Sequence, residues 1–586
     1  MSREKQLSRD KAGVGISSFR PTLMGTRHMV VAGHYLAAEI GFTILEAGGN
    51  AIDAGVAAGI ALGVLQSDLV NVAGVAPIIL YLAESREVLT ISGLGTWPAA
   101  ASVELFEREH GGHIPVGLLR TVVPAAPDAW ILTLEKYGTM TFSEVAASAI
   151  RFASEGFPMH PLMAGLIADN EDAYRRWPSN AEIYLPNGMP PKVGERFVQT
   201  DLARSLQYMV DEEAAAKGSR VGGLKAARDA FYHGDIAATI VDYHAKNGGL
   251  LTAADMAGYH SKIEPPVHVN FADVDVYTCG PWCQGPVLGQ SMALLKGMDL
   301  KAMGHNSPNY IHTITEAMKL AYADREGHYG DPRFVDVPMT ELLSPAYNQE
   351  RRKLIRPDIA WPEMPVIGNP RGYTSLNSDR SLRASEGEQV MDLDTSYVSV
   401  VDRHGNAFSA TPSDISSDTP VIPGTGLCPS SRGSQSWGVS GHPSAVAPGK
   451  RPRLTPNPAF AMAEGRFLMP FGTPGGDAQS QAMLQVFLNC NIFGMEMQEA
   501  VEAPRFITSS FPGSFEPHDY FPGRLNLEGR ISGETADVLA AKGHTIEWWP
   551  DWMLRTGSMC AIKANLETGI MEAGADPRRP CYAVGW

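Results

Sequence analysis

The chain has 586 residues, with 48 Lys plus Arg against 64 Asp plus Glu and a formal net charge of −16. Hydrophobic residues at 44% and charged residues at 19% are ordinary globular usage, which excludes a disordered chain and leaves length for a sizeable core. The acidic balance argues against a nucleic-acid partner, since phosphate recognition needs clustered Lys and Arg.

The first residues, Met1 to Gly15, are polar and lack the apolar core of a signal peptide, so a cytoplasmic location is expected. No apolar run approaches the roughly 20 residues of a membrane helix, and no membrane partner is expected. Six cysteines (279, 283, 428, 490, 560 and 581) in so long a chain read as free thiols rather than a disulfide framework. Cys279 and Cys283 have no second ligand pair nearby, so neither a metal nor another cofactor is expected.

Met29–Gly33 reads as a strand. His34–Ala47 follows as a helix ended by Gly48-Gly49, and Ala51–Leu65 as a second, Ala-rich helix. Pro77–Leu82 and Val88–Ser92 flank a charged turn and predict a β-hairpin. Residues 124–156 are helical, broken at Tyr137-Gly138, and 160–260 are mostly helical around the loop Pro186–Pro191. Ile311–Asp324 predicts an amphipathic helix. Residues 330–390 are rich in Pro, Gly and Ser with little periodicity, which suggests a mobile or functional loop able to cover the site. Tyr397–Val401 and Ala407–Thr411 then alternate about the turn 402–406, a strong hairpin signal. Short strands dominate to the end, with helices at Gln479–Asn491 and Ser532–Lys542.

No Walker loop, HExxH or GxSxG occurs, and Gly93-Leu94-Gly95 lacks the third glycine of a dinucleotide fingerprint. Chemistry points instead to Asp392-Leu393-Asp394-Thr395, at the head of a strand. Cleavage between Asp394 and Thr395 would give Thr395 a free α-amine beside its own hydroxyl. Such an amine titrates near about 7.7–8 and can serve as base toward Oγ1. The same Oγ1 could cut its own chain by attacking the Asp394 carbonyl. A Thr at a strand head is also ordinary β-structure usage. A second feature is Thr473-Pro474-Gly475-Gly476-Asp477, between a strand and a helix, where backbone N–H groups could hold an oxyanion; a plain turn has the same look.

These segments together resemble the γ-glutamyltranspeptidase family of N-terminal-nucleophile hydrolases. The resemblance rests on Ile44-Leu45-Glu46-Ala47-Gly48-Gly49-Asn50-Ala51-Ile52-Asp53-Ala54, on Glu316–Arg325 with Gly330-Asp331-Pro332, and on Thr395–Ala407. Gly475-Gly476 and Glu502-Ala503-Pro504-Arg505-Phe506 complete it. It implies an α+β fold, an αββα four-layer sandwich. It also implies a proenzyme cut into a large subunit, residues 1–394, and a small one, residues 395–586, that stay together; a dimer of such pairs is also compatible. By position, Thr395 is the nucleophile, Gly475 and Gly476 the oxyanion hole, and Ser413 the hydroxyl that bonds the nucleophile's amine. Thr455 takes one of two substrate-contacting Ser positions, with Leu454 at the other, and Asp477 lies beside the substrate. Transpeptidases carry an arginine four residues before a Pro for the glutamyl carboxylate; here Leu94 stands at that distance from Pro98. Their acidic, Asn-rich loop reads Ser430–Trp437 here, without a carboxylate. Arg432 in that loop would suit an anionic or neutral acyl group; the alternative is a solvated or salt-bridged loop residue. Gly-Gly-Asp-x-x-Ser-Gln resembles the family's amidohydrolase branch, which includes oxamate amidohydrolase and cephalosporin acylase-like proteins.

The reading is a self-processing amidohydrolase acting on a small-molecule amide through a Thr395 acyl-enzyme. A γ-glutamyltransferase or glutathione hydrolase is the close rival. An unprocessed binding protein on the same fold is the rival of another class.

Overall fold

The computed structural model describes residues 18–372, 383–386 and 394–586. Asp392 and Leu393, and most of the segment read as a covering loop between 373 and 393, lie outside the described residues.

Two seven-stranded antiparallel sheets form the centre. Edge to edge, the first runs Tyr582–Gly585, Met29–Ala32, Val398–Val401, Ala407–Ala410, Ile78–Leu82, Glu87–Ile91 and Ile263–Glu264. The second runs Leu23–Gly25, Met571–Ala575, Cys560–Asn565, Phe467–Gly472, Ala459–Ala463, Val274–Thr278 and Val267–Phe271.

Alternation along the strands sets the layers, because successive side chains point to opposite faces. Val30, Ala32, Val398, Val400, Phe408 and Ala410 pack on helices including Tyr35–Glu46 and Ala51–Leu65. Their neighbours Met29, Val31 and Ala407 face Phe460, Leu468 and Ile562 of the second sheet. That sheet's far side, with Ala459, Ala461, Met469 and Phe471, packs on Gly285–Leu295, Pro308–His328 and Gln479–Asn491. The order is helix, sheet, sheet, helix, the αββα sandwich. Strands from before and after Asp394 share both sheets, so two fragments cut there would remain interleaved.

Most local expectations hold. Asn50 caps the helix Ala51–Leu65 through a capping box with Asp53, and Gly48 follows the previous helix at φ +99°. The predicted hairpins pair in register, Ile79 with Thr90 and Val400 with Phe408. Two expectations need correction. The amphipathic helix at Ile311–Asp324 runs from Pro308 to His328 and is buried on every side from Tyr310 to Glu326. Its polar face meets protein, with Lys319 2.9 Å from Glu316 and Asp324 2.7 Å from Arg351. The segment read as structureless contains the helices Met339–Leu342 and Pro345–Arg352, the second capped by Ser344.

Candidate active site

Asp394 and Thr395 stand just before the strand Val398–Val401, which is paired on both sides, and the chain is continuous across them. Both are buried, Thr395 completely. Thr395 has φ +74°, a left-handed conformation that a β-branched residue avoids at a cost of about 1–3 kcal/mol. Its surroundings hold it there: the Thr395 N–H donates to Leu69 O at 3.0 Å, and the next N–H, of Ser396, to Pro412 O at 3.0 Å. Cutting the bond to Asp394 removes this strain, because φ is a torsion about N–Cα measured from the Asp394 carbonyl carbon.

Thr395 Oγ1 lies 2.6 Å from Ser413 Oγ. Ser413 is fixed by its backbone, which exchanges hydrogen bonds with Val75 at 3.0 and 3.3 Å. Arg432, 2% exposed, reaches the same place. Its Nη2 donates to Ser413 Oγ and lies 2.6 Å from Asp394 Oδ2, while Nε is 3.3 Å from Asp414 Oδ1. Burial opposes the guanidinium charge, but Asp394 and Asp414 hold the Arg432 pKa above its ordinary value. Burial raises the Asp414 carboxyl against the pull of Arg432, Ser430 and Ser431. In the uncleaved chain Arg432 is thus ion-paired, with its charge spent on two carboxylates.

The strand Phe467–Gly472 leads into the glycine turn, with Gly475 at φ +124° and Gly476 at φ +55°. Side chains are disfavoured at such angles, so glycine is required for this backbone. Among the described residues the N–H groups of Gly475 and Gly476 donate to no protein acceptor. The two glycines line a cavity of about 130 Å³ with Ala478, Phe511, Ser514 and Phe515; Thr395 does not line it. The Gly476 carbonyl accepts from Gln284 Nε2 at 2.7 Å, and the same nitrogen holds Thr455 O at 3.0 Å. The Thr455 hydroxyl is fully buried and accepts from Gln435 Nε2 at 2.7 Å. Asp477 shares Oδ1 between Arg325 and the Ser514 hydroxyl, and its Oδ2 accepts the Ser514 N–H at 2.7 Å. Its carboxylate therefore braces the turn against the helix Pro308–His328.

Leu94 and Leu454, two of the three departures from the transpeptidase pattern, meet in one buried apolar cluster with Val75, Cys279, Trp282 and Cys283. The neighbours of Leu94 in that cluster are hydrocarbon and indole, and Leu94 also lines a cavity of about 500 Å³ with Asp255, His260, Lys262, Arg333 and Arg451. All six thiols are free and buried. His312, Glu316 and His544 have the composition of a metal site, with ligand atoms within 4.8 Å of one another. Glu316 is engaged by Lys319 and the Trp361 N–H, and His312 by His544 and Arg356 O, while His544 Nδ1 has no hydrogen-bond partner among the described residues.

Three residues escaped the sequence reading. Gln284, which holds the glycine turn, carries no local signal. Asp68 lies three residues after the end of the apolar helix Ala51–Leu65, and burial pushes its carboxyl up to about 7. Arg579, from Arg578-Arg579 between two prolines, has Nη1 3.4 Å from Asp394 O and 3.2 Å from Thr395 O.

The sequence pattern of the family described as Gamma-glutamyltranspeptidase matches residues 37–586. Acylase ACY 1 proenzyme of Pseudomonas sp. (strain SE83) is 34% identical over 557 residues, covering 92% of this chain and 90% of that protein. Glutathione hydrolase-like YwrD proenzyme of Bacillus subtilis (strain 168) is 30% identical over 568 residues, covering 96% and 99%. The crystal structure of cephalosporin acylase from Bacillus halodurans superposes with a TM-score of 0.84 at 27% identity, covering 98% of this chain and 99% of that one.

Proposed function

The chain belongs to the gamma-glutamyltranspeptidase family, and from that premise we propose that it is a self-processing amidohydrolase with Thr395 as nucleophile. Cleavage between Asp394 and Thr395 yields subunits 1–394 and 395–586 and frees the Thr395 α-amine. That amine, titrating near about 7.7–8, accepts the Oγ1 proton as Oγ1 attacks a substrate amide carbonyl. The Gly475 and Gly476 N–H groups receive the oxyanion, each such donor being worth about 2.7–4 kcal/mol in a tetrahedral transition state. The amine leaves, and water hydrolyses the Thr395 ester. Ser413 keeps Oγ1 oriented throughout. The observation that carries this reading is the buried Thr395 at φ +74° with Oγ1 2.6 Å from Ser413 Oγ.

The substrate reading follows from Leu94 and Leu454. A γ-glutamyl group carries an ammonium and a carboxylate, and an apolar cluster offers neither a partner. The acyl group is therefore one without that zwitterion, with Arg432 available to a carboxylate once Asp394 no longer occupies it. Thr455 contributes to the substrate wall, and Asp477 sets the shape of the turn.

An intact mass spectrum of the denatured protein tests the mechanism: two chains divided at Asp394–Thr395 are expected in place of one 63.1 kDa species. A single uncleaved chain under every condition would leave a binding protein on this fold. A panel of small amides, with γ-glutamyl-p-nitroanilide and glycylglycine beside them, tests the substrate class. Fast γ-glutamyl turnover stimulated by glycylglycine would favour the transferase instead.

A further inference from the structure

Arg578 and Arg579 are adjacent, both buried, and differently employed. Arg578 is saturated by carboxylates: Nε and Nη2 each lie 2.7 Å from Glu528, and Nη1 3.1 Å from Asp576 Oδ1. Arg579 has no carboxylate in contact among the described residues. Among the described residues its hydrogen bonds run from Nη1 to two backbone carbonyls, Asp394 O and Thr395 O, while Nε and Nη2 have no partner. Burial disfavours its charge, and Cys581, Asp394 and Asp68 offset this only in part. A guanidinium desolvated at such cost, aimed at the carbonyl of the bond to be cut, fits a group whose interaction grows when that oxygen becomes negative.

The hydroxyls beside it have a direction. Ser413 Oγ accepts from Arg432, which can only donate. One acceptor position remains for the Thr395 O–H at 2.6 Å, and the Ser413 proton then points to Asp394 Oδ2 at 3.4 Å, an oxygen that Arg432 Nη2 also holds at 2.6 Å. The path runs from the nucleophile to the side chain of the residue it attacks.

We propose that self-cleavage uses Arg579 as the donor to the developing oxyanion and the Asp394 carboxylate as the proton acceptor, reached through Ser413. The proposal rests on Thr395 being the nucleophile. Thr395 Oγ1 bonds to the Asp394 carbonyl carbon while its proton passes to Ser413 and the Ser413 proton to Asp394. The negative charge collects on Asp394 O against Arg579 Nη1. The C–N bond then breaks, and the proton on Asp394 passes back to Ser413, whose own proton goes directly to the Thr395 nitrogen, which leaves as an amine, Oγ1 now being the ester oxygen. Water hydrolyses the remaining ester, giving an α-carboxylate on Asp394 and restoring the Thr395 hydroxyl. The Gly475–Gly476 turn keeps its donors for substrate.

The test follows the uncleaved fraction of the full-length chain over time by intact mass, for Arg579→Met, Arg579→Lys, Asp394→Asn, Asp394→Glu and Thr395→Ala. Arg579→Met and Asp394→Asn are expected to slow cleavage at least about 100-fold, with Arg579→Lys and Asp394→Glu intermediate. Hydroxylamine, which intercepts an ester, should not speed the slow variants, because the ester itself fails to form. Cleavage of Arg579→Met or Asp394→Asn at the wild-type rate, with or without hydroxylamine, overturns the proposal while leaving Thr395 in place. If Arg579→Met does not fold, the Lys variant decides by the same hydroxylamine readout. Cleavage of Thr395→Ala at this bond would instead overturn the nucleophile.

Discussion

The ring of Tyr397 lies against the Cα of Gly472, so close that a methyl group added to Gly472 would come within 2.3 Å of the ring. The contact joins the two halves of the site across the sandwich. Tyr397 is two residues after Thr395 and Gly472 three before Gly475, so this packing sets how the strand that follows Thr395 and the glycine turn meet. Gly472→Ala therefore forces the two facing sheets apart at this point. It is expected to cost about 1–3 kcal/mol and to leave most of the chain uncleaved, as read by urea unfolding and intact mass.

Ser413 is the nearest polar neighbour of Thr395 Oγ1, at 2.6 Å. Ser413→Ala removes both orientation and the proton path, and is expected to slow self-cleavage by about 100-fold or more. Time courses of subunit appearance check it, and a wild-type time course would remove Ser413 from the site.

Asp68 makes stability depend on pH in an unusual direction. Burial raises its carboxyl from 3.8 to about 7, so the folded state resists its ionisation. Below pH 4 both states hold the proton and there is no penalty. As pH rises from 4 to 7 the unfolded state loses its proton first, and stability falls by on the order of 4 kcal/mol. Asp68→Asn should thus melt higher than the wild type at pH 8 and converge with it near pH 4. Parallel melting-curve shifts at both pH values would mean that Asp68 does not titrate in this window.

The apolar cluster around Leu94 predicts a costly charge. Leu94→Arg places a guanidinium among Val75, Trp282 and Leu454 and is expected to destabilise the fold by at least about 3 kcal/mol. It should not confer γ-glutamyl turnover. A well-folded Leu94→Arg protein that hydrolyses γ-glutamyl-p-nitroanilide would show that position 94 faces substrate instead.

The six thiols are buried, and burial pushes Cys428 and Cys490 up to about 12. Iodoacetamide needs an accessible thiolate; a hydrogen bond from Cys560 lowers the Cys581 thiol from its ordinary value, but it is buried like the others, so at pH 8 the reagent should leave the native mass unchanged. The denatured protein should take up six groups.

Local rules made much of this protein legible in its sequence. Asn50 with Asp53, Thr141 with Glu144 and the turn at 402–406 mark their elements because caps and hairpins involve residues a few positions apart. Composition by itself left Thr395 an ordinary strand residue; its resemblance to a family pattern singled it out together with the two glycines. Tertiary structure decided what those residues touch. Arg579 meets Asp394 from 185 positions away, and Gln284 reaches Gly476 from 192, separations over which no spacing rule operates. The helix Pro308–His328 looked amphipathic over Ile311–Asp324, yet its charged residues are all buried because they pair, Glu316 with Lys319 of the same helix and Asp324 and Arg325 with Arg351 and Asp477 from elsewhere. Periodicity reports which positions are polar. Whether the polar face meets water or a partner depends on charges that only the folded chain brings together.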